Sequence, residues 1–316
     1  MRVPPHQVRS PPEYMGDRVL VAGSAGRHLA TELARLTSLR PVAAHTERFP
    51  DGELALELHE SVRGCEVVLL QATSPPVNDN LVELVLLLDA CRRDGAASVT
   101  VVLPYFGYAR SDYRHGRRGP VGARVAAELL EHWGATRVVA VDVHVPQIEA
   151  YLRIPFTHVS ALYLLGHALP TRSEEAVLVA PDLGAVWRVR SLAERLDLPT
   201  ALCLKQRASG SEVEITKVVG DVSGRRCIVI DDMIATGATV VECVAALRRA
   251  GAADASTVAA THGVLVGGTL ERLSSAGVRH LILTDTVPAV TSTAASAGDI
   301  RLTIIEIAPL LATALS

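Results

Sequence analysis

Short runs of aliphatic residues, apolar at nearly every position, recur along this chain, and most are followed by a longer stretch with helical apolar spacing. A strand wetted on one face alternates polar and apolar residues, whereas a run without alternation has to be covered on both faces. Such strands, separated by helices, build a mostly parallel sheet with helices against each side. The first series reads RVLVAGS (18–24), CEVVLLQA (65–72), SVTVVLPYF (98–106) and TRVVAVDVH (136–144). Helical spacing predicts HLATELARLT, NLVELVLLLDACRRDG and VGARVAAELLEHWG between them, with Arg92, Arg93 and Gly95 closing the second and Gly134 the third. The second series reads EAVLVAPD (175–182), TALCLKQR (200–207), RCIVIDD (226–232), STVAATHGV (256–264), HLILTDTV (280–287) and RLTIIEIA (301–308). Its helices are AVWRVRSLAERLD and ATVVECVAALRRAGA, and EVEITKVVGDV reads as an extended or hairpin excursion. Both halves place small and charged residues after a strand, LPYFGYARSD in one and VIDDMIATGAT in the other, where open α/β sheets bind ligands. Two similar doubly wound α/β domains, joined near residues 155–165, are expected; one such fold with an unrelated appendage is the alternative.

Hydrophobic residues make up 49% of the chain and aromatic ones 3%, so Val, Leu, Ile and Ala must build the cores. The net charge of -3 gives no reason to expect nucleic acid or an anionic membrane as a partner. No stretch reaches the roughly 18 uninterrupted apolar residues of a spanning helix. Cys65, Cys91, Cys203, Cys227 and Cys243 form no C-x-x-C pair and read as buried, reduced thiols of a cytoplasmic protein. The opening MRVPPHQVRSPPEYMGD is Pro-rich and polar, lacks the apolar centre of a signal peptide, and reads as a flexible tail over 1–15.

The sharpest local signal is VIDDMIATGAT, residues 229–239. A buried strand ends in Asp231 and Asp232, a loop of small residues follows, and then a helix begins. Small residues let backbone N–H groups approach a phosphate, the helix N-terminus adds a favourable dipole, and Thr236 and Thr239 offer hydroxyls. The two carboxylates repel phosphate and suit ribose hydroxyls or a hydrated Mg²⁺. The bland reading, a capped strand-to-helix turn, accounts poorly for two adjacent acids at the end of so apolar a strand.

This pattern resembles the PRPP-binding loop shared by phosphoribosyltransferases and PRPP synthetases. Further segments resemble the second family in its order: Arg48-Phe49-Pro50-Asp51-Gly52-Glu53, then PYFGYARSD with Arg110, Ser111 and Asp112, then Asp142-Val143-His144 with Gln147 and Ile148. Ala180-Pro181-Asp182-Leu183-Gly184, Lys205-Gln206-Arg207 with Glu212 and Val213, Val219-Gly220-Asp221-Val222 and Thr261-His262-Gly263 continue it. Alone, 48–53 is a turn, Arg110 a surface ion pair with Asp112, His144 a structural strand-end residue, and 205–213 a solvated hairpin around Ala208-Ser209-Gly210-Ser211.

The resemblance implies two type I phosphoribosyltransferase-like domains, 16–159 on the ATP side and 160–316 carrying the ribose 5-phosphate loop. It implies transfer of the diphosphoryl group of ATP to the C1 hydroxyl of ribose 5-phosphate, giving PRPP and AMP, in a cytoplasmic homo-oligomer with Mg²⁺ as cofactor. ATP falls to Phe49, Asp51, Gly52, Glu53, Arg110, Ser111 and Asp112, the first four often across a subunit contact. Lys205 and Arg207 are the implied catalytic cations on a closing loop, and His144 and Asp182 the metal contacts. Ribose 5-phosphate falls to Arg207, Asp231, Asp232, Ala235, Thr236, Gly237, Ala238 and Thr239. The chain departs from the family where Gln is usual at Ser111, Asp or Ser at Ala235, and Gly at Ala185 and Ala238. Ala238 is tolerable there with a negative φ or a Cβ clear of the phosphate. A nucleobase phosphoribosyltransferase and a non-catalytic, PRPP-synthetase-like regulatory subunit are the rival readings.

Overall fold

The computed structural model describes residues 16–114, 116, 118–170, 176–209, 212–293 and 298–316, with backbone alone for 205–209, 212–216 and 291–293. The expected tail over 1–15 lies outside the described residues. Two compact units divide the chain: one takes residues up to Ala140 with Val145–Thr157 and Leu311–Ser316, the other Val141–His144 and His158–Leu310.

In the first unit the strands are β1 (Arg18–Ala22), β2 (Arg40–Val42), β3 (Ala44–Arg48), β4 (Leu54–Leu58), β5 (Glu66–Leu70), β6 (Ser98–Leu103), β7 (Arg137–Val141) and β8 (Phe156–Val159). Helices α1 (Arg27–Thr37), α2 (Val77–Asp94) and α3 (Gly122–His132) alternate with them. The sheet runs β2-β1-β5-β6-β7-β8, and the β1–β2, β1–β5, β5–β6 and β6–β7 pairings are parallel. Helix α2 stops as its sequence predicts: Gly95 turns left-handed at φ 90° and its N–H donates to the carbonyls of Cys91 and Arg92. Strand β7 ends earlier than TRVVAVDVH suggests, because Asp142 adopts a φ of 34° that breaks the extended backbone. The antiparallel hairpin β3–β4 was not expected; its half-exposed strands carry too weak an apolar pattern.

In the second unit the strands are β9 (Ala176–Ala180), β10 (Thr200–Ser209), β11 (Glu212–Val219), β12 (Arg226–Ile234), β13 (Asp254–Gly263), β14 (His280–Thr284) and β15 (Arg301–Ile305). The helices are α4 (Leu162–Ala168), α5 (Val186–Leu196), α6 (Ala238–Arg249), α7 (Thr269–Ser275) and α8 (Pro288–Thr293), while α9 (Ala308–Leu315) starts in this unit and ends in the first. Strand order is β11-β10-β9-β12-β13-β14-β15, parallel except for the antiparallel edge pair β10–β11, so EVEITKVVGDV is the return strand of a hairpin. The core is aliphatic: Leu178, Ile228, Ile230, Ala259 and Ile282 of the sheet pack on Leu162, Leu165, Val189 and Leu192. Each fully buried Leu or Ile contributes about 1.5–3 kcal/mol.

Both sheets reverse their strand order once, between β1 and β5 in the first unit and between β9 and β12 in the second. Ligands of open parallel sheets bind outside the carboxyl ends of strands at such a reversal. The two segments that made the halves look alike, LPYFGYARSD and VIDDMIATGAT, are not equivalent: β6 lies one strand beyond the reversal, whereas β12 lies directly at it. All five cysteines are buried and outside any disulfide, and burial pushes Cys91 up to about 12 and Cys227 to about 11.

Candidate functional site

The second unit gathers acids at its strand-order reversal. After β9, Asp182 caps the following turn, its Oδ1 accepting from the Ala185 N–H at 3.2 Å. Strand β12 supplies Asp231 and Asp232 and does not stop there: Met233 and Ile234 still pair with His262 and Gly263, because β13 is long enough to match them. Asp232 is buried, and its Oδ2 lies 2.6 Å from His144 Nδ1 and 3.4 Å from Arg188 Nη2. Burial alone would raise its carboxyl; the His144 hydrogen bond and the Arg188 charge outweigh that and hold it well below the usual carboxylate range. Asp231 behaves oppositely. Burial, then the negative charge of Asp232 and of Asp182, pushes its carboxyl well above the ordinary value. Acid crowding of this kind is relieved by a cation, so the residues present fit a divalent metal. Among the described residues no three or more His, Cys, Asp or Glu side chains converge as a complete metal cage. A hydrated Mg²⁺ needs only one or two protein carboxylates beside substrate phosphates.

His144 is aimed by its own strand end. The buried Asp142 carboxylate accepts from Ser160 Oγ at 2.8 Å, the Ala161 N–H at 3.0 Å and Thr261 Oγ1 at 2.7 Å, which holds the left-handed turn before His144. The Asp142 carbonyl accepts from His262 Nε2 at 3.1 Å, and His262 Nδ1 pairs with Thr286 Oγ1 at 2.9 Å. Burial lowers the His262 pKa and keeps its ring neutral. Asp142, Thr261 and His262 lie in segments singled out from sequence but had no assigned role; they build the scaffold under His144.

After β12 the loop 235–239 presents the N-terminus of α6. Its carbonyls are tied away from that end: the Ala235 carbonyl accepts from Thr269 Oγ1 at 2.8 Å and the Val266 N–H at 3.1 Å, and the Thr236 carbonyl accepts from Arg272 Nε at 3.0 Å. Gly237 takes φ 77°, and a Cβ there would sit 3.2 Å from Leu273 Cδ2. Ala238 is the first residue of the right-handed helix, so its φ is negative and the expected condition for an alanine at that position is met. Thr236 is exposed and Thr239 half-buried. On hairpin β10–β11 the backbone register pairs Lys205 with Ile215 and Arg207 with Val213. The side chains of Lys205 and Arg207, and residues 210 and 211, lie outside the described residues.

In the first unit, residues 48–53 form the turn of hairpin β3–β4. The Phe49 N–H donates to the Glu53 carbonyl at 2.8 Å, Gly52 turns at φ 96°, and Asp51 Oδ1 accepts from the Glu53 N–H at 3.1 Å. Phe49 is 43% exposed, a large apolar face left open beside the exposed Asp51 and Glu53. The turn is fixed to α2 by Arg48, whose Nη2 lies 2.6 Å from Asp79 Oδ2. Past β6, Arg110 is exposed, whereas Ser111 Oγ accepts from the Gly122 N–H at 3.1 Å and starts α3. The short hydroxyl at the family's glutamine position is thus spent on a helix start. The Asp112 carbonyl accepts from Tyr151 Oη at 2.5 Å.

At the first unit's own strand-order reversal the polar groups are satisfied internally. The buried Glu83 carboxylate accepts from the Ser24 N–H at 3.0 Å, Ser24 Oγ, Thr46 Oγ1 at 2.8 Å and Gln71 Nε2 at 2.8 Å. Gln71 Oε1 in turn accepts from the Ala25 N–H at 3.0 Å.

Arg188 escaped the sequence reading because AVWRVRSLAERLD carries three arginines, and such residues usually face solvent. Its spacing was the available signal: it shares a helical stripe with Ala185 and Leu192, both buried.

The chain matches two family descriptions: the N-terminal domain of ribose phosphate pyrophosphokinase over residues 18–134, and the phosphoribosyl synthetase-associated domain over 204–316. It is 41% identical to the ribose-phosphate pyrophosphokinase of Gloeobacter violaceus over 290 residues, 90% of this chain and 87% of that protein. It is also 41% identical to that of Granulibacter bethesdensis, over 94% of this chain and 95% of the relative. The crystal structure of phosphoribosylpyrophosphate synthetase from Mycobacterium smegmatis superposes with a TM-score of 0.86 at 37% identity, covering 95% of this chain and 97% of that one.

Proposed function

The chain belongs to the ribose-phosphate pyrophosphokinase family, and from that premise we propose that it transfers the β,γ-diphosphoryl group of ATP to the C1 hydroxyl of ribose 5-phosphate. The products are PRPP and AMP. The observation that carries the ribose side is the acid group Asp182, Asp231 and Asp232 at a strand-order reversal, directly before an open helix N-terminus at 235–239. A phosphate docks on that N-terminus, with Thr236 and Thr239 donating hydroxyls and Gly237 admitting the backbone. Asp231, with Asp232 beside it, meets the ribose hydroxyls. The same acids, with Asp182 and the outer nitrogen of His144, hold a divalent cation, which we take to be Mg²⁺. When bound, that ion neutralises polyphosphate charge. Lys205 and Arg207 stabilise charge on the transferring group, and Phe49, Asp51, Gly52, Glu53, Arg110, Ser111 and Asp112 receive the nucleotide. Domain 16–159 thus takes ATP and domain 160–316 takes ribose 5-phosphate, in a cytoplasmic homo-oligomer.

The rivals are not favoured. A nucleobase phosphoribosyltransferase has no use for an N-terminal pyrophosphokinase domain over 18–134. A non-catalytic subunit would not need Lys205, Arg207, His144 and Asp182, all retained. Incubation with ATP, Mg²⁺ and ribose 5-phosphate tests the reading: AMP and PRPP should appear in equal amounts. A folded protein that binds ATP and releases neither product would sink it.

A further inference from the structure

We propose that Arg188 is a positioning residue of the ribose-side site: without meeting substrate, its guanidinium fixes Asp232 and the His144 imidazole in one arrangement. The kinetic side of this proposal rests on the pyrophosphokinase reading; the structural side rests on geometry alone.

Arg188 lies on α5 with its side chain 4% exposed. Its Nη2 donates to the His144 carbonyl at 2.9 Å and lies 3.4 Å from both the Val143 carbonyl and Asp232 Oδ2. Its Nη1 donates to the Gly184 carbonyl at 3.3 Å. One guanidinium therefore touches three segments, and each carries a residue of the site: 141–144 with His144, the turn after β9 with Asp182, and β12 with Asp232. Arginine suits this task because its fork is planar and permanently charged. A buried cation is costly without a counter-charge, and Asp232, 4% exposed itself, supplies it.

Two features separate this from ordinary core filling. Arg188 Nε is buried without a hydrogen-bond partner, so the hydrogen bonds of the fork run through its two terminal nitrogens to the segments that carry the site. Asp232, moreover, shares its Oδ2 between Arg188 and His144 Nδ1. That 2.6 Å contact engages the His144 ring at Nδ1 and leaves Nε2 as the nitrogen for a ligand. Without Arg188, Asp232 loses its buried counter-charge and its fixed position, and His144 loses both the clasp on its carbonyl and a settled carboxylate opposite Nδ1. Lysine, a point donor, cannot reach the three segments together.

The test uses Arg188→Lys, and Arg188→Ala with and without added guanidinium ion. AMP release gives kcat and both KM values, and ¹⁵N–¹H correlation of the imidazoles in substrate-free protein at one alkaline pH gives the His144 tautomer. Arg188→Lys should stay folded and lose about 100-fold in kcat, with the ATP KM within roughly twofold of the parent. Guanidinium should recover part of the loss in Arg188→Ala. The His144 ring should pass from a single Nδ1–H form to a tautomer mixture in both variants. A parental kcat in Arg188→Lys with an unchanged ring spectrum would overturn the proposal, as would an Nε2–H ring in the parent. Unfolding of both variants would assign Arg188 to holding the domain together and overturn it too. Absence of PRPP with the parent protein would remove the pyrophosphokinase reading instead, leaving the ring spectra to decide Arg188.

Discussion

Single side chains in this molecule divide by what their burial does to charge. Asp232 is held ionised by its partners, Asp231 is pressed toward neutrality by burial and by its acidic neighbours, and His262 is kept neutral by burial. The last has a stability consequence. A base whose folded-state pKa is depressed stabilises the fold fully above its unfolded value, and that stability is lost as pH falls through the ordinary imidazole range. The melting temperature should therefore decline from about pH 7 to about pH 5. His262→Asn, though less stable at neutral pH, should show a shallower decline; an equally steep one would acquit His262. The proposed reaction gives Lys205 a chemical role instead. Lys205→Ala should lower kcat by about 10²–10³-fold and change KM for either substrate far less, as expected for a cation needed chiefly in the transition state. Unchanged kcat would remove it from the catalytic set.

Among elements, the loop before α6 makes the sharpest demand on sequence. Gly237 combines a left-handed φ with close packing on Leu273 and Thr269. Gly237→Ala should cost about 1–2 kcal/mol in stability. It should also raise the KM for ribose 5-phosphate more than that for ATP; the opposite pattern in steady-state kinetics would move the phosphate elsewhere. This loop was legible in the sequence because its chemistry is local: a fully buried strand, two acids and small residues follow one another. The parallel strands were legible for the same reason, since runs such as CIVI need cover on both faces. Hairpin β3–β4 was not, because its strands are half-exposed and their stability comes from contacts such as Thr46 with Glu83 and Arg48 with Asp79. Arg188 and Asp142 were missed likewise: their partners lie 44 and 119 residues away in sequence, at Asp232 and Thr261, and no spacing rule reaches so far. The true end of β12 depended on the length of its neighbour β13, a property of the sheet and not of the strand.

For the whole molecule, the exposed Phe49 turn bears on assembly. A homo-oligomer that covers this turn with a second copy should be the active species, and Phe49→Ala should weaken ATP use and association together. Sedimentation of a fully active monomer at assay concentration would refute that. Repetition of a doubly wound architecture raises a different matter: why, of two strand-order reversals, the proposed sugar-phosphate site falls at the second. In the first unit Glu83 already sits at the helix start after β1, taking the Ser24 N–H and hydroxyl that an incoming anion would seek. The chain carries its own acceptor there, covalently attached and therefore never diluted. A free phosphate arriving there would have to evict a tenant that cannot leave, so that helix start is closed to the guest that the loop before α6 leaves room for.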